Sequence, residues 1–138
     1  MRKKLLALAL LAMLFITTGF TNGVKVYVGN QLIEFPDQQP IIENDRVLVP
    51  VRFIAEHLGA EVEWNQEKQE VFIRQENKDI SLIIGESKAT VNGETVLFDT
   101  VAQLYNGRTM VPLRFVVKVL GKEIYWNHFA KTVYIVRS

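Results

Sequence analysis

The sequence predicts an α+β protein of two tandem repeats, each a short helix packed on a twisted, mainly antiparallel β-sheet of about five strands. Three observations predict it. A nine-residue stretch occurs twice, from Arg46 to Ile54 (RVLVPVRFI) and from Arg108 to Val116 (RTMVPLRFV). The likeness continues without a gap as far as Ile73 and Ile135, and self-similarity at a fixed period marks a duplicated structural unit. Behind each proline, apolar residues fall at helical spacing; around each helix lie alternating, strand-like runs bounded by Gly and Asn.

Ahead of the repeats, Arg2, Lys3 and Lys4 precede an almost continuous apolar run from Leu5 to Ile16, followed by mostly small residues to Gly23. That layout is a secretory signal peptide, and its apolar run is shorter than the roughly 20 residues a membrane span needs. Residues 1–23 are therefore expected to be removed, leaving a secreted protein of residues 24–138 with no transmembrane anchor and an extracellular, cell-wall-associated location. The whole chain has 16 basic and 15 acidic residues; without Arg2, Lys3 and Lys4 the count is 13 against 15, a net of −2. No basic run remains to bind nucleic acid. The 138 residues contain no cysteine, so neither a disulfide nor a lipidated cysteine is available.

The first repeat (24–78) opens with Val24–Val28, a Gly29-Asn30 turn and Leu32–Phe35, a hairpin pattern. The second (79–138) repeats it one residue out of step, with Asn92-Gly93 at the turn, where both residues tolerate positive φ. Between Phe35 and Arg46 an irregular loop is expected, marked by Pro36 and Pro40. Pro50 and Pro112 then end a strand and open a helix, because a proline at a helix start loses no hydrogen bond and arrives with φ already set. Val51, Ile54, Ala55 and Leu58 line one helix face, and Leu113, Val116, Val117 and Leu120 the other; Gly59 and Gly121 stand where a left-handed C-terminal cap is needed. Helices this short require a sheet against their apolar stripe. Val62 and Trp64 against Val71 and Ile73 supply an apolar hairpin face, Ile80–Gly85 reads as a strand joining the copies, and no flexible linker separates the halves.

The order of Asn92-Gly93, the run Asn106–Phe115 (NGRTMVPLRF), Leu120-Gly121, Trp126-Asn127 and Thr132–Ile135 (TVYI) resembles the copper amine oxidase N-terminal domain family, the stalk domain. The resemblance covers the mature chain. It implies a twisted antiparallel sheet around a helix, and an exported bacterial module, chiefly of Gram-positive type, that is not the catalytic part of the oxidase. An oxidase centre needs three histidines for copper and a tyrosine that becomes a quinone. This chain has only His57 and His128, unrepeated between copies, so no metal or other cofactor is expected. Ser81, Ser87 and Ser138 sit in no nucleophile motif, and the alternating acids Glu61, Glu63, Glu70 and Glu123 read as the wet face of a sheet. A non-enzyme is the expectation.

Two sets of residues remain. Arg52 and Arg114 occupy the first helical turn in both copies, where the helix dipole disfavours a cation. They are read as a structural clamp with Pro50, Pro112, Glu61, Glu123, Trp64 and Trp126, the arginine held by a carboxylate, a strand-end carbonyl or an indole face. In the second copy Tyr125 replaces Glu63, Phe129 replaces Glu67 and Tyr134 replaces Phe72. These aromatics form a candidate binding surface, either covering the other repeat or a neighbouring domain, or stacking on a sugar. The expected function is an exported, non-catalytic stalk, scaffold or interaction module at the cell envelope, its partner an envelope component or another exported protein. The alternative is weak binding of carbohydrate or cell-wall polymer through the outward aromatics.

Overall fold

A computed structural model describes residues 23–136; the signal-peptide expectation lies almost wholly outside them. Strands dominate. In chain order the elements are β1 (Lys25–Val28), β2 (Gln31–Leu32), β3 (Ile41–Glu43), β4 (Arg46–Pro50), α1 (Val51–His57), β5 (Glu61–Asn65), β6 (Glu70–Gln75), β7 (Lys78–Ile83), β8 (Lys88–Val91), β9 (Glu94–Leu97), β10 (Gln103–Tyr105), β11 (Arg108–Pro112), α2 (Leu113–Val119), β12 (Glu123–Asn127) and β13 (Thr132–Val136).

These form three sheets, in the orders β12-β13-β1-β2, β10-β11-β4-β3 and β5-β6-β7-β8-β9. Each draws strands from both repeats, which overturns the expected α+β tandem of helix-on-sheet units: the fold is mainly β, and the repeat of the sequence is not the packing unit. The physical reason lies in the open edge of each second hairpin. After β6 the chain turns into β7, which pairs with β6 and then with β8, so the hairpin β5-β6 is continued by the first hairpin of the second repeat. The matching hairpin β12-β13 takes its neighbour from the start of the chain, β1 lying parallel to β13. A seven-residue helix is too narrow to cover five strands alone; instead α1 and α2 pack on each other and on the central sheet.

That central sheet carries a pseudo-twofold axis. β4 and β11 run antiparallel with Val49 opposite Val111, Leu48 opposite Pro112 and Pro50 opposite Met110, so equivalent positions face each other across it. Pro50 and Pro112 share φ −61°, and both are buried immediately before their helices. The helix stripes fall where their spacing puts them: Ile54, Ala55, Val116 and Val117 have no exposed surface, and Val51, Leu58, Leu113 and Leu120 have almost none. Gly59 (φ +91°) and Gly121 (φ +75°) end the helices in the left-handed region, which lets Ala60 N–H reach Ala55 O and Lys122 N–H reach Val117 O. Sheet residues Val26, Ile73, Ile80, Leu82, Val133 and Ile135 complete the core. Full burial of such a side chain is worth about 2–3 kcal/mol.

Two strands are not legible in the sequence. β3 and β10 fall where it reads as loop or turn, and each pairs antiparallel with the repeated strand behind it. Across the pseudo-axis the first arginine of each repeated stretch bridges the repeats: Arg108 donates from Nε and Nη2 to Asp37, and Arg46 donates likewise to Asp99. Both carboxyls are held below the usual Asp range, chiefly by these hydrogen bonds.

Candidate functional site

The sheet β12-β13-β1-β2 places one row of side chains on its outer face. Tyr125 is opposite Tyr134, Tyr134 is opposite Tyr27, and Tyr27 is opposite Leu32, one residue from each of four strands. Directly paired residues project to the same side of a sheet, while their neighbours Val26, Val28, Val133 and Ile135 turn inward and are buried. Tyr125 remains 56% exposed, Tyr134 41% and Leu32 40%.

Parallel pairing of β1 with β13 is what assembles this row. It brings Tyr27, from the first repeat, against Tyr134, with ring centroids 5.5 Å apart and planes within 17°. Rings so close and so nearly parallel overlap in part, each covering some of the other's face. Sequence spacing pairs Tyr125 with Tyr134 but has no signal for Tyr27 or Leu32, since that pairing joins residues at opposite ends of the chain. Of the second copy's three aromatics, Tyr134 stands against a ring of the first repeat, that of Tyr27. At the end of the row, Tyr125 Oη donates to Glu123 Oε2 at 2.9 Å, and this bond to a carboxylate raises the phenol above its usual range. Phe129, 98% exposed in the turn between β12 and β13, is not part of the row; its ring meets His128 edge-on at 5.9 Å.

The residues read as a clamp are only partly brought together. Arg52 Nη1 donates to Val62 O at 3.2 Å and reaches Glu56 Oε1 at 3.5 Å, so its partners are a strand carbonyl and a helical neighbour rather than Glu61. Arg114 makes no side-chain hydrogen bond or ion pair among the described residues, and its neighbour one turn on is Lys118 where the first helix has Glu56. Glu61 and Glu123 are exposed at the starts of β5 and β12. Trp64 and Trp126, expected on the inward face, are 38% and 39% exposed. Both stand on edge strands, where one flank has no neighbouring strand to cover an indole. Trp64 overhangs an open cleft of about 400 Å³ that Pro50, Arg52, Val62, Leu104 and Thr109 also line.

No cluster of three or more His, Cys, Asp or Glu side chains is placed to hold a metal among the described residues. His57 is engaged at Nδ1 with Phe53 O at 2.6 Å, and His128 sits in the β12-β13 turn, so the donor set does not fit a copper centre. No helix among the described residues is long and apolar enough to cross a membrane.

The pattern defining the copper amine oxidase N-terminal domain matches residues 27–135. A protein named "Protease inhibitor" from Brevibacillus choshinensis is 31% identical over 112 residues, covering 80% of this chain and 33% of that protein. The chain thus spans about a third of the length of that relative.

Proposed function

The chain belongs to the copper amine oxidase N-terminal domain family, and from that premise we propose that it is an exported, non-catalytic interaction module that docks at the cell envelope through the tyrosine-bearing face of β12-β13-β1-β2. The family is named for an N-terminal domain, which supports a non-catalytic role. One observation carries the docking face: Tyr125, Tyr134, Tyr27 and Leu32 make a continuous row with three of its four members at least 40% exposed. Tyrosines joined in an exposed strip are the composition of a recognition surface, a large apolar area with a polar tip.

Because Tyr27 and Tyr134 cover part of each other's faces, the row offers ring edges and hydroxyls more than flat platforms. That favours a protein partner over a sugar ring stacked face-on, and the wall-polymer reading is second. A relative named as a protease inhibitor makes a protease one form such a partner takes, although this chain matches only a third of that protein.

Capture of exported proteins and of purified cell wall by immobilised mature chain tests the proposal. Tyr27→Ser/Tyr134→Ser should lose what the wild type retains, while Phe72→Ser, the equivalent position on the other sheet, should keep it. Equal capture by all three proteins overturns the docking face. Retention on wall glycan alone selects the second reading, and a secreted product still carrying residues 1–23 refutes cleavage of the leader.

A further inference from the structure

The two ends of the pseudo-symmetric sheets differ in charge and in how their edge strands are guarded. From Arg52 to Arg74 the first repeat has three basic and five acidic side chains, a net of −2; the equivalent stretch from Arg114 to Val136 has four basic and one acidic, a net of +3. Lys118 stands for Glu56, Lys122 for Ala60, Lys131 for Gln69 and Tyr125 for Glu63.

β5 and β12 are both edge strands. On β5 the edge is blunted. Arg52 donates to Val62 O, which shows that the main-chain groups of Val62 face away from β6, and Glu63, where β12 has Tyr125, adds to the charge of Glu61, matched on β12 by Glu123, and discourages strand pairing. On β12 the equivalent main chain belongs to Ile124. Arg114 makes no bond there, and its i+4 neighbour is a like charge, an arrangement that is unfavourable without an anion nearby. Among the described residues the β12 edge is therefore open; α2, which carries the exposed Arg114 and Lys118, packs against β12 on its inner side, and Tyr125 stands on its outer side.

We propose that β12 is a docking edge for an acidic, extended polypeptide segment of a partner protein, which adds as a fifth strand to β12-β13-β1-β2. The segment pairs with the main chain of Ile124 and Trp126. Its alternate residues point to opposite faces: carboxylates on the helix side meet Arg114 and Lys118, and apolar side chains on the other side continue the row begun by Tyr125. A second copy of this chain is a poor occupant, because it would bring the same cations face to face. The proposal rests on the reading of the chain as a protein-binding module but not on the tyrosine row being where the affinity lies.

Fluorescence anisotropy of the full mature chain with a short labelled peptide alternating glutamate and valine tests it. Binding is expected to weaken about tenfold in Arg114→Gln/Lys118→Gln and to fall with added salt. It should be lost when alternate peptide nitrogens are methylated, and should be absent for a lysine–valine peptide. Unchanged affinity in the double variant, equal binding of the methylated peptide, or a β12-mediated dimer of the chain by sedimentation overturns it. Melting curves confirm that the variant is folded, and Arg52→Gln/Glu56→Gln controls for a general charge effect. If Tyr27→Ser/Tyr134→Ser still abolishes partner capture while the peptide does not bind, the edge proposal falls and the docking face stands.

Discussion

The sheets β5-β6-β7-β8-β9 and β12-β13-β1-β2 are two versions of one construction, the second having no counterpart of β7 among the described residues. Inside they are nearly interchangeable: Val71 and Ile73 on one match Val133 and Ile135 on the other, all buried. Outside they have parted. The row Glu63, Phe72, Ser81, Thr90, Thr95 crosses the first sheet, where the second has Tyr125, Tyr134, Tyr27 and Leu32. At each of the four positions with an equivalent, the second sheet has tyrosine or leucine. Inner positions answer to close packing, which tolerates little change in volume; outer positions answer to solvent or to a partner. The contrast within one chain therefore separates what holds the fold from what the fold presents.

The largest effects test the shared interior. Ile73→Ala and Ile135→Ala, at 0% and 1% exposure, should each cost about 2–5 kcal/mol. Each variant should show one urea transition by fluorescence and by circular dichroism, since every sheet contains strands of both repeats. Two separated transitions would mean that the repeats fold as independent units, contrary to the strand order. A cost much smaller at Ile135 would show that the parallel β1-β13 seam packs less tightly than the seam filled by β7.

Much of this interior was legible. The proline positions, both helix stripes, the capping glycines and the β5-β6 and β12-β13 hairpins follow from local chemistry, where period and turn residues act over a few positions. What escaped is non-local. Sheet partnership is decided by which hairpin meets which open edge, and Tyr27 beside Tyr134 or Asp37 beside Arg108 leaves no trace in spacing. β3 and β10 escaped for another reason: three residues are too few for an alternating pattern to register. Of the candidate surface, Tyr125 and Tyr134 fall in one row because they pair across one hairpin, while Phe129, in the turn of the same hairpin, lies outside that row because a turn residue does not share the strands' facing.

A smaller effect separates the two helix arginines. Arg52→Ala should destabilise by about 0.5–1 kcal/mol, since its bonds to Val62 O and Glu56 are solvent-exposed. Arg114→Ala should be neutral, or stabilising by a few tenths of a kcal/mol through relief from Lys118 and the helix dipole. Paired thermal melts decide the matter, and equal losses would show that Arg114 clamps β12 as Arg52 holds β5. By the same measurement Tyr27→Ser should cost more than Thr90→Ser, its counterpart, because the stack on Tyr134 contributes about 0.5–1.5 kcal/mol.

The smallest effect concerns acid. Asp37 and Asp99 are held below the usual carboxylate range by Arg108 and Arg46, so the folded chain binds their protons less readily than the unfolded one. The stabilisation is therefore full above the ordinary Asp value near 4 and is lost as pH falls through the lower folded values. Both bridges are exposed, and salt should flatten the dependence. Asp37→Asn and Asp99→Asn should each remove part of the slope of stability against pH below about 4 and leave the slope at neutral pH unchanged. Because the bridges occupy equivalent places across the pseudo-axis, the two variants should lose comparable amounts. A loss confined to one of them would show that the asymmetry of the outer faces reaches the contacts that join the repeats.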